Sequence, residues 1–233
     1  MLNQLQAKLR SSLEVSMKPL RLILLAFLSL ALLRCTTVQT LELGYSPEKA
    51  APPSNEKVKI AVMPFEDTTT NGQENPYMVG KLYTTQLLNA QTISYLITRN
   101  VKKEMAAFGF ELSTDEIYSM QLNRNDIQIL LRKIPYTQVD YLVGGSISHF
   151  FVQQLGRFIA EVEIEAFLIR PPKGDIIWSK KIGYREVRVP FAPDDFADQS
   201  QTILNNLMEK TLRDLFRTSD FRQYAVIQKQ PNP

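Results

Sequence analysis

The chain holds one cysteine, one histidine and one tryptophan in 233 residues. A single cysteine excludes an intramolecular disulfide. Cys35 and His149 alone cannot supply the clustered thiolates and imidazoles of a zinc site. The sequence has no G-x-S-x-G, no P-loop, no H-E-x-x-H and no G-x-G-x-x-G after a strand. No cofactor, no metal and no catalytic residue is therefore expected. Long apolar runs are missing as well. The longest, Leu22–Leu33, has 12 residues, interrupted only by Ser29. As a helix it would span about 18 Å, against about 30 Å for a bilayer core.

Charge of one sign is also lacking. The formal net charge is +3, from 27 basic and 24 acidic residues. The excess sits at the front, in Lys8, Arg10, Lys18, Arg21 and Arg34 against Glu14. Without residues 1–34 the chain has 22 basic and 23 acidic residues, so a nucleic-acid partner has no electrostatic footing. Hydrophobic residues, at 44%, suffice for a globular core.

The front reads "MKPLRLILLAFLSLALLRC" from Met17. Lys18 and Arg21 form a positive n-region, and Leu22–Leu33 has the length of a signal-peptide h-region. Met17 is a sufficient start for this signal, and residues 1–16 are then a long n-region or a misassigned start. A cysteine closing such a segment resembles the lipobox of bacterial lipoproteins. In those proteins cleavage precedes the cysteine, here between Arg34 and Cys35, and the cysteine then carries the acyl chains. Leu32, Leu33 and Arg34 stand where lipoboxes have Leu, then Ala or Ser, then Gly or Ala. An uncleaved signal anchor, or a buried helix with an incidental thiol, are the other readings. Two or three acyl chains would hold the protein on a membrane for good. Thr36, rather than the Asp that retains enterobacterial lipoproteins in the inner membrane, implies by resemblance the periplasmic side of the outer membrane.

Residues 35–57 are expected to be the lipidated cysteine and a flexible tether. The stretch contains Gly44, Pro47, Pro52 and Pro53 and no sustained period. Fully extended, it reaches about 70 Å. Residues 58–224 are expected to form one globular domain, and 225–233 a loose tail.

Within the domain, "VKIAVMPFED" (Val58–Asp67) is apolar on both strand faces, as in a central strand. The long connection Thr68–Ala90 includes "YMVGKLYTTQLL", which suits a hairpin or strand. The spacing predicts a helix over Thr92–Phe108, with Thr92 as cap and Gly109 beyond its end. A short strand "FELS" and a helix over Ile127–Lys133 follow. Val139–Gln153, Arg157–Arg170 and Ile176–Val189 read as three antiparallel strands with one wet face. In the second, Ile159, Val162, Ile164, Ala166 and Leu168 form the apolar set, opposite Glu161, Glu163 and Glu165. Asp194 or Asp195 caps a last helix with the stripe Phe196, Ile203, Leu204, Leu207, Met208, Leu212, Leu215 and Phe216. The expected class is α/β (α+β): a mixed sheet ending in an antiparallel meander, packed by about three helices.

"VKIAVMPFED" resembles the opening strand of the curli-secretion, penicillin-binding-protein-activator and TolB amino-terminal superfamily. "YMVGKLYTTQLLNAQTISYLITRNVKKEMAAFGFEL", "YLVGGSISHFFV" and "AEVEIEAFLIRPPKGDIIWSKKI" resemble the YajG family of bacterial lipoproteins. That resemblance covers roughly Val58–Tyr224. It implies an envelope lipoprotein that assists assembly or transport beside envelope protein partners, often as a homo-oligomer. A curli-type secretion pore and a ligand-binding lipoprotein are the alternatives.

Individual residues fit this non-catalytic picture. Glu66 and Asp67 are adjacent carboxylates at a strand end, a position that is more often solvated than catalytic. His149 has no nucleophile beside it in the pattern and reads as structural or surface. Gly144 and Gly145 within a strand suggest a bulge or close backbone approach. Trp178 reads as core. Glu161, Glu163 and Glu165 suit cross-strand pairing with Lys180, Lys181 or Arg185.

Overall fold

The structure is a computed structural model, and it describes residues 37–48, 58–69, 77–82, 85–114 and 139–227. The chain divides into two compact units, Met1–Thr37 and Val38–Pro233. Arg34, Cys35, the signal segment, residues 49–57, the helix expected over Ile127–Lys133 and the tail 228–233 lie outside the described residues.

The fold is α+β, with a nine-stranded mixed sheet and three α-helices among the described residues. In chain order the elements are β1 (Thr37–Leu41), β2 (Lys59–Val62), β3 (Glu66–Asp67), β4 (Met78–Leu82) and β5 (Thr85–Asn89). Then come α1 (Ile93–Ala107), β6 (Glu111–Leu112), β7 (Tyr141–Gln154), β8 (Phe158–Arg170) and β9 (Asp175–Arg188). A 3₁₀ turn at Pro193–Asp195 leads into α2 (Phe196–Phe216), and α3 (Ser219–Ile227) follows.

Strand β7 is the seam. Along one edge it takes β2, β3 and β4 in succession, all parallel, with Ile60 beside Tyr141, Glu66 beside Ser146 and Gly80 beside Val152. Along the other edge it pairs antiparallel with β8, which pairs with β9. The sequence glycines serve this crowding. A Cβ on Gly145 would overlap the Glu165 carbonyl and the Phe65 ring, and one on Gly144 would lie 2.7 Å from Met63 Cε and Phe167 Cε2.

The helices cover one face. On α1, Ile93, Leu96, Ile97, Val101 and Met105 are buried, and Thr92 Oγ1 accepts from the Tyr95 amide at 3.2 Å. Gly109, at φ 84°, closes the helix in the left-handed conformation that glycine adopts without cost. On β8 the inward set is Phe158, Ala160, Val162, Ile164, Ala166 and Leu168. Ile159 therefore belongs to the face of Glu161, not to the apolar set, because β8 keeps strict alternation from Phe158. Phe158 stacks edge-on against Phe191 at 4.8 Å and against Phe196 at 6.2 Å, tying the start of α2 to the sheet. A second, smaller apolar cluster, with Ala61, Met63, Leu142, Phe167 and Ile169, lies apart from the main core near the start of β7.

Three further sequence expectations change. Thr37–Leu41 is a strand, and Leu41, Leu43 and Tyr45 are buried, so the supposed tether is folded over 37–48. The alternation that buries them is only five residues long and is hidden by the surrounding polar composition. Asp195 holds the N-cap position of α2, as one of the two expected, but neither aspartate bonds the helix end through its side chain. Asp194 lies within the 3₁₀ turn, and Asp195, at φ −88° and ψ −12°, is already near-helical and makes no side-chain cap bond. Ala225, expected in the loose tail, is buried on α3.

Candidate functional site

The segment Glu42–Glu48 is fastened to two helices by side chains. Glu104 is fully buried on α1. The Tyr45 hydroxyl donates to its Oε2 at 2.6 Å, and Arg217 Nε donates to its Oε1 at 2.7 Å. Arg217 Nη2 also donates to the Glu48 carbonyl at 2.9 Å, with Nη1 3.5 Å from the Glu48 carboxylate. Lys103 Nζ donates to the Tyr45 carbonyl at 2.7 Å. From α2, Gln201 Oε1 accepts from the Glu42 amide at 3.0 Å and Asn205 Oδ1 from the Gly44 amide at 3.1 Å. An isolated buried carboxylate is costly, and two donors that satisfy both oxygens make Glu104 tolerable. Burial, then the hydrogen bond to Glu104 and its charge, raise the Tyr45 pKa above the ordinary tyrosine range. The Glu104 hydrogen bond and charge raise the Arg217 pKa, although burial opposes them.

A cleft of about 360 Å³ opens where β2 ends, lined by Val62, Pro64, Thr92, Tyr95, Arg99 and Lys102 together with Ser94 and Thr98. The hydroxyls of Ser94 and Thr98 are engaged in holding the backbone. Ser94 Oγ donates to the Phe65 carbonyl at 2.5 Å. Thr98 Oγ1 accepts from the Phe65 amide at 2.9 Å and donates to the Ser94 carbonyl at 2.7 Å. Arg99 lies 5.9 Å from the Tyr95 ring centroid. The cleft offers two cations and an aromatic face, which is a binding geometry without a nucleophile–base pair.

The residues singled out in the sequence are dispersed. Asp67 Oδ1 accepts from the Thr69 amide at 3.0 Å and the Thr69 hydroxyl at 2.7 Å, closing a turn, and Glu66 sits beside it on β3. His149 is on the open face of β7, its side chain 46% exposed, with Nε2 3.9 Å from Glu163. On that face Lys181 lies 2.6 Å from Glu163 and Arg185 3.8 Å from Glu161. Burial of Glu163 would raise its pKa, but hydrogen bonds from Lys181 and Ser148 and the nearby charges outweigh it and lower the pKa. Ser179 Oγ donates to Glu165 at 3.3 Å. Lys180 points to the other face, where its Nζ donates to the Asp214 carbonyl at 3.3 Å. Trp178 is core, 5.0 Å from the Phe221 ring.

Glu104, Tyr45 and Arg217 were not singled out from the sequence. A signal existed for the first, since Glu104 falls at the spacing of Ile93, Leu96, Ile97 and Val101, on the apolar stripe of α1. Among the described residues no group of three or more histidine, cysteine or carboxylate side chains is placed to hold a metal ion. No described helix is long and apolar enough to cross a membrane.

No family model matches the chain, and no curated protein does. Solved structures do. Protein XCC0632 from Xanthomonas campestris, described with family model DUF330, is similar at TM-score 0.50 and 11% identity, over 79% of this chain and 97% of that one. Lipoprotein GNA1162 from Neisseria meningitidis is similar at TM-score 0.42 and 11% identity, over 69% of this chain and 99% of that one. A PelC dodecamer from Paraburkholderia phytofirmans is similar at TM-score 0.37 and 11% identity, over 74% and 92%. At such identity what the chain shares with XCC0632 is its α+β fold.

Proposed function

We propose that the chain is a bacterial envelope lipoprotein of the YajG-like type, anchored by acyl chains on Cys35 to the periplasmic side of the outer membrane. It acts as a non-catalytic scaffold or auxiliary subunit in envelope assembly or transport. The observation that carries this reading is the position of Cys35, directly behind Leu22–Leu33 and two residues before β1. Supporting it, Gln201, Asn205, Lys103 and Arg217 hold backbone of the segment Glu42–Glu48, and a solved lipoprotein is among the structural neighbours. The pore alternative is less well supported. Strands β4 and β5 have five residues each and are already paired within the sheet, whereas a membrane-spanning strand needs about 9–11. The ligand-binding alternative has the cleft beside Arg99 and Lys102 in its favour, and native mass spectrometry of the purified protein tests it by retained mass.

The decisive experiment is metabolic palmitate labelling with membrane fractionation, comparing wild type with Cys35→Ala. Label and outer-membrane residence in the wild type, both lost in the variant, are expected. A soluble, unlabelled wild type would overturn the reading.

A further inference from the structure

All four exposed large aliphatic residues among the described ones lie at one end of the sheet: Val38 (56% exposed), Leu155 (68%), Val187 (50%) and Val189 (80%). The ladders place them there. Gln154, ending β7, pairs with Phe158, and Phe158 pairs with Arg188, so the turn bearing Leu155 sits beside Val187 and Val189. Across β7, Lys81 pairs with Gln153 and Leu82 with Thr85, so the β4–β5 turn reaches the same end. Leu41 closes β1 and accepts from the amide of Ala90, just beyond β5. Strand β1 therefore runs alongside β5 in the same direction, and Val38 lies toward that turn. The other exposed large hydrophobics are Tyr77, Tyr95 and Tyr224, each with a hydroxyl to hydrate.

Single exposed aliphatic side chains are ordinary, but their collection at one end calls for a partner. The chain itself points to which. Three peptide units join Cys35 to Val38, so the Cα of the cysteine lies within about 11 Å of Val38 whatever path they take, at the β1 edge of this end, while Val187 and Val189 stand at its β9 edge. A leash that short makes contact with the anchoring surface effectively intramolecular.

We propose that this end of the sheet rests on the phospholipid bilayer, with Leu155, Val187 and Val189 inserted at the headgroup–acyl boundary across this end from the anchor. The inference rests on the reading of Cys35 as the acylated residue. It reverses the role expected of a tether, since the domain lies on the membrane and not at a distance from it. Both charge signs occur at this end, with Arg157 and Arg188 against Asp194 and Asp195. Contact is therefore made by apolar burial and needs no anionic lipid.

The test uses full-length protein, purified in detergent and reconstituted into phosphatidylcholine vesicles. An environment-sensitive dye is placed on Leu155→Cys or Val189→Cys, with Tyr224→Cys on α3 as the far control. The expected result is loss of iodide quenching and gain of quenching by brominated lipid at 155 and 189, with neither change at 224. Labels at 155 and 189 as open to iodide as the label at 224 would overturn the proposal. So would shielding from iodide without bromolipid quenching in a cross-linked oligomer, which would mean that a second copy covers this end. Mass spectrometry of the Cys35 peptide from the same vesicles separates the failures. An acylated Cys35 with open labels sinks only the membrane-resting face, and an unmodified Cys35 on protein that does not float with the vesicles sinks the lipoprotein reading with it.

Discussion

The β7–β9 meander and the segment Glu42–Glu48 lie in one folded unit but are held by different forces. The meander is held by area. Its inward residues, from Phe158 through Leu168 on β8, alternate regularly and are fully buried. The segment is held by position. It has no regular secondary structure, and apart from Leu43 and Tyr45 its attachment consists of hydrogen bonds to Gln201, Asn205, Lys103, Glu104 and Arg217. Apolar area is non-directional and leaves a period in the sequence, whereas directed hydrogen bonds across 58 to 169 residues of separation leave none. The same chain thus has one region whose fold can be read off and one whose fold can only be seen.

The largest expected effect is in the meander. Phe150 is fully buried on β7, and Phe150→Ala should cost about 4 kcal/mol, as removal of a core ring does. Denaturant unfolding should stay a single transition with unchanged slope. A second transition would mean that the meander and the fastened segment unfold apart.

Next is the clamp. Arg217→Met leaves Glu104 buried with only the Tyr45 hydroxyl, and should cost about 3 kcal/mol. Limited proteolysis should then cut first within residues 42–48. The double variant Glu104→Met/Arg217→Met should recover most of that loss, because no uncompensated charge remains. If it recovers nothing, Arg217 acts through its packing over Phe108, at 6.0 Å, and the contrast between area and position weakens.

These two cases show why some of the fold was legible and some not. The α1 stripe, its Thr92 cap, Gly109 and the three long strands follow from period and from glycine's backbone freedom. Gly144 and Gly145 pointed to a bulge or a close approach, and only the contacts of Phe65, Met63 and Phe167 decide for the close approach, the register shift of β7 falling later, between Ile147 and His149. The candidate site was less so. Cys35 stood out by its place behind an apolar run, but the burial of Tyr45 and the partner of Glu104 depend on contacts with residues far off in the chain. Asp195 holds the cap position of α2 but makes no side-chain bond there, because a 3₁₀ turn leads into the helix and leaves the cap residue near-helical.

Tyr45→Phe gives a smaller effect that isolates one arm of the clamp. Losing a hydroxyl that donates to a buried carboxylate should cost about 1.5 kcal/mol at neutral pH. The pH dependence has a definite sign. The folded Tyr45 pKa is raised, by burial first and Glu104 second. Its contribution is therefore complete below the unfolded value of about 10 and is lost as pH rises above it. A stability–pH profile for Tyr45→Phe should fall less steeply above that point than the wild type. Tyr141, raised by burial, and Tyr184, raised by its bond to Asp214, keep a residual alkaline slope in the variant.

The smallest effect belongs to the wet face of the meander. Lys181 lies 2.6 Å from Glu163, but the lysine side chain is 50% exposed and the carboxylate 26%. Water and salt screen such a pair, and Lys181→Ala should change stability by no more than about 0.5 kcal/mol. The folded Glu163 pKa is lowered by the hydrogen bonds and charges that outweigh its burial. The contribution is thus present above the unfolded carboxylate value of about 4.3 and fades as pH falls below it. Thermal melts at neutral pH and near pH 3 should therefore differ between wild type and variant only at the higher pH, and raised salt should shrink even that difference. A loss comparable to that of Arg217→Met would mean that the ion pairs on this face, not the buried side chains beneath them, set the register of β8 against β9.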